Sequence, residues 1–426
     1  MTPDSLQQHA SSRTSAAQIQ LDDQSRQYFP GLLDKVFLDA ACVSLAPRPA
    51  VEAVQMFLDL AMVCPLDSST AHHILMDEMR AAARPAAARL INAHEDEIGL
   101  VESTTHGLTL AANSIPLEPG DRVLLSDLEF LQVAVPWIQK KKEGIEIDVI
   151  PNRNGEVLVE DFAERLTPRT RVITISTVQW TNGYRLDLAA LSRLCHERGV
   201  RLVVDAIQQL GAIPLDVRQT PVDILACGGH KWLNSPFGCG FLYIRRDVLP
   251  DLHPPLAGYL SIEDPPGGWG EYFQTPTTTP VKNYEFVNTA RRFETGGTSN
   301  YPGAVGLAAS LKLIHELGHH RIAEHIYALT DQLLAGLDRL GLKIVTPRAR
   351  ENRSGIVTSS VGSAEENVKF MQRLLERKIL VSVRYTSNVG GIRISCHFYN
   401  SQEDIDTLLS EVKKLTQGQM PLSARP

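Results

Sequence analysis

Five short stretches of this chain are apolar at nearly every position rather than at alternate ones: "DRVLLSD", "RVITIS", "RLVVDA", "VDILACGG" and "GFLYI". A strand that faces water on one side alternates apolar and polar residues, whereas a continuous run marks a strand buried on both faces. Between the second and third runs, "DLAALSRLCHERG" repeats its apolar positions at helical spacing, and its final Gly199 suits a C-cap. Strand, helix and strand in this order predict right-handed crossovers. The fold class predicted is therefore α/β, with a mostly parallel central sheet and helices on both faces. Ligands of such sheets bind at the carboxyl ends of the strands. Asp205 and the turn at 228–231 fall there.

The same patterning divides the chain. Residues 1–25 read as a flexible arm and 417–426 as a mobile tail. A large domain is predicted over 26–300, with an N-terminal segment able to pack on the smaller one. Within it, 251–290 is rich in Pro, Gly and Thr and too long for a plain connector, which marks a functional or interface segment. Helical stretches resume with "AVGLAASLKLIHELG" and "HIYALTDQLLAGLDRLG", followed by short strands such as "GIVTSSV", "ILVSVR" and "GIRISC". These predict a smaller α+β domain over 301–416. No internal repeat is visible.

Composition narrows the function classes. Hydrophobic residues make up 43% and charged residues 21%, ordinary for a soluble globular protein. The net charge is −7 with no basic stripe, so neither nucleic acid nor an anionic membrane is an expected partner. The polar N-terminus has no apolar core for a signal, and no apolar run reaches bilayer length. Six scattered cysteines without a CxxC predict free thiols in a reducing, cytoplasmic compartment.

Asp205 ends the apolar run Leu202-Val203-Val204, so its carboxylate needs a cationic or hydrogen-bonding partner. Lys231 follows another apolar strand, and neighbouring strands bring the two ends together. Spacing leaves two readings open. One is a direct salt bridge. The other is a cofactor between the two: pyridoxal phosphate needs a lysine for its aldehyde and a carboxylate for its ring nitrogen. Its phosphate also needs N–H groups and hydroxyls at a helix N-terminus. "LVESTTHGLTLAANS" offers Ser103, Thr104 and Thr105, with a plain N-cap as the alternative. Phe130 either stacks on the ring or fills the core, and Gln208 can turn toward the ring hydroxyl. An amino-acid substrate needs an arginine fork for its carboxylate. Arg393 in "GIRISC" is the first choice and Arg384 in "VSVRY" the second, although an exposed strand end also explains the latter.

These residues carry a resemblance. "VVDAIQQLGAIPLDV", followed by "GGHKW" and "GFLY", resembles the class V aminotransferase family of fold type I pyridoxal-phosphate enzymes. That family includes cysteine desulfurases, cystine C–S lyases, isopenicillin N epimerase-like proteins and kynureninase. The similarity runs from "FLDAACVSLAP" to "RISCHFYNSQEDIDTLL". It implies pyridoxal 5'-phosphate as cofactor, an amino-acid substrate and a homodimer with shared active sites. Residue by residue, it implies that Lys231 binds the cofactor aldehyde, Asp205 the ring nitrogen and Gln208 the ring hydroxyl. Phe130 stacks on the ring, and His230 and Thr105 meet the phosphate with Thr104 nearby. Gly297 and Thr298 reach the phosphate bound by the other subunit, and Arg393 takes the substrate carboxylate. Trp180 lies near that carboxylate. Cys42, Tyr259, Arg185 and Tyr301 are further candidates for the substrate pocket.

Departures from the family pattern bear on the reaction. Phe130 stands where the desulfurases stack a histidine, and it carries no acid–base group. Gly228 replaces a phosphate-binding hydroxyl, Trp180 replaces an asparagine, and "FETGGTSN" holds one glycine more than usual. The loop "YTSNVGG" lacks the mobile cysteine of the desulfurases, so no thiolate is expected to attack the substrate sulfur. The favoured activity is that of a C–S lyase, a β-elimination on a cysteine-type substrate or S-conjugate. Transamination, epimerisation and decarboxylating deamination are the alternatives, and a non-catalytic cofactor-binding protein is another. "HELGH" matches a zinc motif in letters only, since Gly318 interrupts the helix it needs. No metal is expected, and its histidines read as solvated helix-end residues.

Overall fold

The computed structural model describes Leu21 and residues 25–417. Its strands are β1 (Val36–Phe37), β2 (Ile98–Val101), β3 (Arg122–Ser126), β4 (Glu146–Ile150), β5 (Thr170–Ser176), β6 (Arg201–Asp205), β7 (Ile224–Gly228), β8 (Gly240–Ile244), β9 (Lys343–Ile344), β10 (Ile356–Ser360), β11 (Ile379–Leu380), β12 (Ser382–Thr386) and β13 (Val389–Ser395). Seven form the large sheet in the order β2-β8-β7-β6-β5-β3-β4. The pairs from β4 through β7 are parallel, and β8 runs antiparallel to both of its neighbours. All five continuous apolar runs are strands of this sheet. Within β6, Leu202 and Val204 enter the core on one face and Val203 the core on the other. That two-sided burial is why the runs do not alternate. The crossover helix Leu188–Arg198 starts where Asp187 accepts the Ala190 N–H at 2.9 Å and stops at left-handed Gly199.

The smaller sheet is antiparallel, in the order β12-β13-β10-β9. β1 pairs in parallel with β11, and Leu38 joins the core formed by Leu333, Phe370, Ile392 and Ile405. The N-terminal segment thus packs against this smaller sheet. The helix Tyr301–Leu317, read as the opening of the small domain, instead packs on the helices Arg48–Val63 and Ala83–Ile91, and its Leu307 and Leu311 enter the large core. Periodicity shows that a helix buries a face; it does not show against what.

Most of the expected arm and tail lies outside the described residues. Within the arm, Leu21 and Ser25 are buried, and the Ser25 hydroxyl donates to the Phe398 carbonyl at 3.1 Å. "HELGH" is split as predicted: one helix ends at Leu317 and the next starts at His319. Its histidines are half-buried rather than fully solvated, however. His315 Nε2 meets the Ala86 carbonyl at 2.9 Å, and the His319 ring stacks on His315. Burial and the neighbouring cations push His319 down to about 4. Among the described residues no helix is long and apolar enough to cross a membrane, and no group of His, Cys, Asp and Glu could hold a metal ion.

Candidate active site

Two adjacent parallel strands, β6 and β7, end at Asp205 and Gly228. The chain turns after Gly228 through Gly229 and His230 to Lys231. Neither glycine has a positive φ, so both are required by closeness rather than by backbone conformation. A Cβ on Gly229 would lie 2.7 Å from Ser235 Cβ and 2.9 Å from the Cys239 carbonyl. This tight folding-back presents Lys231 at the strand ends.

Lys231 and Asp205 face one another without pairing directly. Asp205 Oδ1 accepts the Ile207 N–H at 2.9 Å, and Oδ2 accepts Gln132 Nε2 at 2.6 Å. Burial lowers Lys231 to about 8, Asp205 raises it in part, and Arg393 adds to the lowering. Burial likewise holds Asp205 above its usual range, against the bonds from Ile207 and Gln132 and the charge of Lys231. A direct salt bridge is therefore not what the strand ends form. An enclosed amine kept off its carboxylate is costly, and a group that sits between the two relieves that cost. Phe130 caps the helix Leu131–Gln139, and its ring centroid lies 5.8 Å from Lys231 Nζ.

The N-terminus of the helix Thr104–Ser114 lies beside β7. Ser103 caps it, accepting the His106 N–H at 3.1 Å. Thr104 is buried and its hydroxyl accepts the Gly228 N–H at 2.8 Å. Thr105 is exposed, and its hydroxyl meets Gln132 Oε1 at 3.4 Å. A Cβ on Gly228 would come within 3.0 Å of Thr104 Oγ1 and 3.4 Å of His230 Nδ1. The Thr104 hydroxyl thus lies against the place where a side chain on Gly228 would begin. Burial and Lys231 hold His230 down at about 4, so its imidazole is neutral near pH 7.

Arg393, on β13, is 1% exposed. Its Nη1 donates to the Trp180 carbonyl at 2.9 Å and its Nη2 to Asp39 Oδ1 at 3.2 Å, while Nε is buried without a partner. The Trp180 ring meets Phe130 edge-on at 5.1 Å, and its Nε1 is also buried and unpartnered. Gln208 donates to the Ala41 carbonyl at 3.1 Å and accepts from Trp232 Nε1 at 2.7 Å. Cys42, next in the chain, receives Arg384 Nη2 at 3.4 Å.

Not every candidate gathers here. Tyr259 and Tyr301 line a separate cavity of about 660 Å³ with Arg80, Asp77 and Gly296. Gly297 abuts the Tyr259 ring and Thr298 is exposed. Arg185 donates to the Glu351 carbonyl at 2.9 Å and lines a cleft with His319. Conversely, Gln132, Asp39 and Glu129 escaped the sequence reading. Glu129 accepts from Ser176 and Gln179 beneath Phe130, and burial raises it to about 7. "LSDLEF" shows a charge before an aromatic and nothing more.

The residues present fit pyridoxal phosphate: an unpaired, half-buried lysine, an opposed carboxylate, a flat ring and a helix N-terminus under a glycine cradle. The class-V aminotransferase family model matches residues 36–408. The chain belongs to that family, and so to the pyridoxal-phosphate enzymes. It is 30% identical to isopenicillin N epimerase of Streptomyces clavuligerus, over 90% of this chain and 97% of that one. It is 27% identical to a "Probable cysteine desulfurase" of Pyrococcus abyssi, over 94% and 99%. The solved complex of the cystine C–S lyase C-DES with its product cysteine persulfide superposes with a TM-score of 0.80, at 27% identity over 90% of this chain and 99% of that one.

Proposed function

We propose that this chain is a pyridoxal-phosphate C–S lyase that eliminates the β-substituent of a cysteine-type amino acid. The observation that carries the reading is the enclosed Lys231 amine, unpaired beside Asp205 and flanked by Arg393. When bound, pyridoxal phosphate supplies an aldehyde for the substrate amine and a ring that takes up the electron pair of the broken Cα–H bond. Asp205 would hold the ring nitrogen, Phe130 the ring face, and Thr105, Thr104 and His230 the phosphate. Gln208 would serve the ring hydroxyl with its second amide N–H. Arg393 keeps one N–H on each terminal nitrogen, besides Nε, for a substrate carboxylate. With an amine near 8, Lys231 is matched to take a proton from Cα at Nζ and return it. Phe130 cannot move a proton, so epimerisation lacks an acid–base group on that face. Relatives called cysteine desulfurases and the cystine C–S lyase C-DES support C–S cleavage, and relatives called aminotransferases make transamination the alternative.

We further infer a cytoplasmic homodimer in which Gly297 and Thr298 serve the other subunit's phosphate. The helix Arg48–Val63 exposes Val51, Leu58 and Met62 along one face, an apolar strip suited to a second copy. Free cysteines, two of them exposed, support a reducing compartment.

The test is product analysis after incubation with a panel of amino acids and cysteine S-conjugates. Pyruvate, ammonia and a thiol or persulfide are expected. A 2-oxo acid of the substrate with pyridoxamine phosphate means a transaminase instead, and an aldehyde with CO₂ means a decarboxylating enzyme.

A further inference from the structure

Cys42 sits in a setting that β-elimination leaves unused. Its thiol is exposed, and Arg384 Nη2 donates to Sγ at 3.4 Å. Lys231 and Arg393 both lie close enough to feel charge on that sulfur. Arg384 thus contacts the sulfur directly, and Arg393 adds a second cation nearby. The carboxylate of the same loop, Asp39, is already engaged by Arg393 at 3.2 Å and by the Ser382 hydroxyl at 2.8 Å. Arg393 Nε, buried and unpartnered, adds a donor that an anionic ligand would satisfy.

The loop is fixed among the site residues. Cys42 N–H donates to the Asp39 carbonyl at 3.0 Å, and Ser44 N–H donates to the His230 carbonyl at 2.9 Å. Just before Cys42, Gln208 holds the Ala41 carbonyl at 3.1 Å. By contrast, the segment between β12 and β13 holds no cysteine and is a closed hairpin. Ser387 and Asn388 turn it at φ 45° and 63°, and the Ser387 hydroxyl is tied to the Asp127 carbonyl at 2.8 Å.

We propose that Cys42 is a sulfur-accepting thiol of this site, loaded from a persulfide that elimination releases from a disulfide-type cysteine substrate. The proposal rests on the C–S lyase reading. Elimination breaks the Cβ–S bond of a substrate bearing R–S–S– and frees R–S–SH. The Cys42 thiolate attacks the outer sulfur, and the old S–S bond breaks. R–S⁻ leaves with the electron pair, and the outer sulfur keeps its proton on Cys42. One S–S bond forms and one breaks, so no outside oxidant is needed. Because Cys42 is exposed, a second thiol can then collect the sulfur.

Cys64, the other exposed cysteine, is the internal reference. Holoenzyme is incubated with L-cystine, alkylated without reduction, digested and weighed. The Cys42 peptide is expected to gain one sulfur atom at least about tenfold above the Cys64 peptide. Lys231→Ala protein, or wild type freed of cofactor, is then given cysteine persulfide directly. The same preference is expected there, although no elimination occurs. Arg384→Gln is expected to slow this loading, which a merely structural cysteine would not show. No sulfur on Cys42, or equal loading of Cys42 and Cys64, overturns the proposal. Loading by added persulfide in a protein that makes no pyruvate from any S-conjugate upholds the thiol and defeats only the lyase reading.

Discussion

Gln132 Nε2 donates to Asp205 Oδ2 across 2.6 Å, bridging the start of a helix to the end of a strand. The bond favours the ionised carboxylate against the burial that disfavours it. Gln132→Leu is expected to weaken pyridoxal-phosphate binding about tenfold, near the low end of a hydrogen bond to a charged group. Titrating cofactor into the cofactor-free variant measures it. Unchanged affinity would mean that Asp205 does not depend on Gln132.

The amine of Lys231 titrates near 8 rather than at an ordinary lysine's value, because burial outweighs the pull of Asp205. Its reactive form is the neutral one, present above that value. Capture of pyridoxal phosphate by cofactor-free protein should therefore quicken as pH rises and level off above about 8. A rate still climbing steeply at pH about 10 would assign Lys231 an unperturbed amine.

Gly228 is tight for a side chain, since a Cβ there would lie 3.0 Å from Thr104 Oγ1. Gly228→Ser, although it adds a hydroxyl, should cost about 1–3 kcal/mol of stability through crowding. Thr104→Ala in that background should recover part of the loss, a coupling that thermal unfolding of both single variants and the double variant detects. Additive effects would show that the two sites do not touch.

Glu129 titrates at about 7 when folded, against 4.5 for an ordinary glutamate, chiefly through burial. A raised carboxyl value means that the folded state holds the proton more tightly. Its contribution is full below about 4.5 and is lost as pH rises through about 7, at up to about 3 kcal/mol. Glu129→Gln removes that dependence. Urea unfolding of the cofactor-free proteins should find the variant gaining on wild type between about pH 5 and pH 8. A constant difference contradicts the raised value.

Much of the fold was legible because its strands are buried on both faces and therefore read as unbroken apolar runs. The packing partner of the helix Tyr301–Leu317 was not, since an amphipathic pattern names a face and not a neighbour. Lys231, Asp205 and Arg393 stood out as charges at the ends of, or within, apolar strands. Gln132, Asp39 and the Arg384–Cys42 contact did not, because each acts on a residue 73 to 354 positions away in the chain. Their local sequence carries no trace of that proximity.

The most direct measurement reduces holoenzyme with borohydride, digests it and locates the pyridoxyl group by mass. The account predicts one group per chain, on the peptide that carries Lys231, and none in Lys231→Ala. A pyridoxyl group on any other lysine, or a protein that takes up no cofactor, contradicts it.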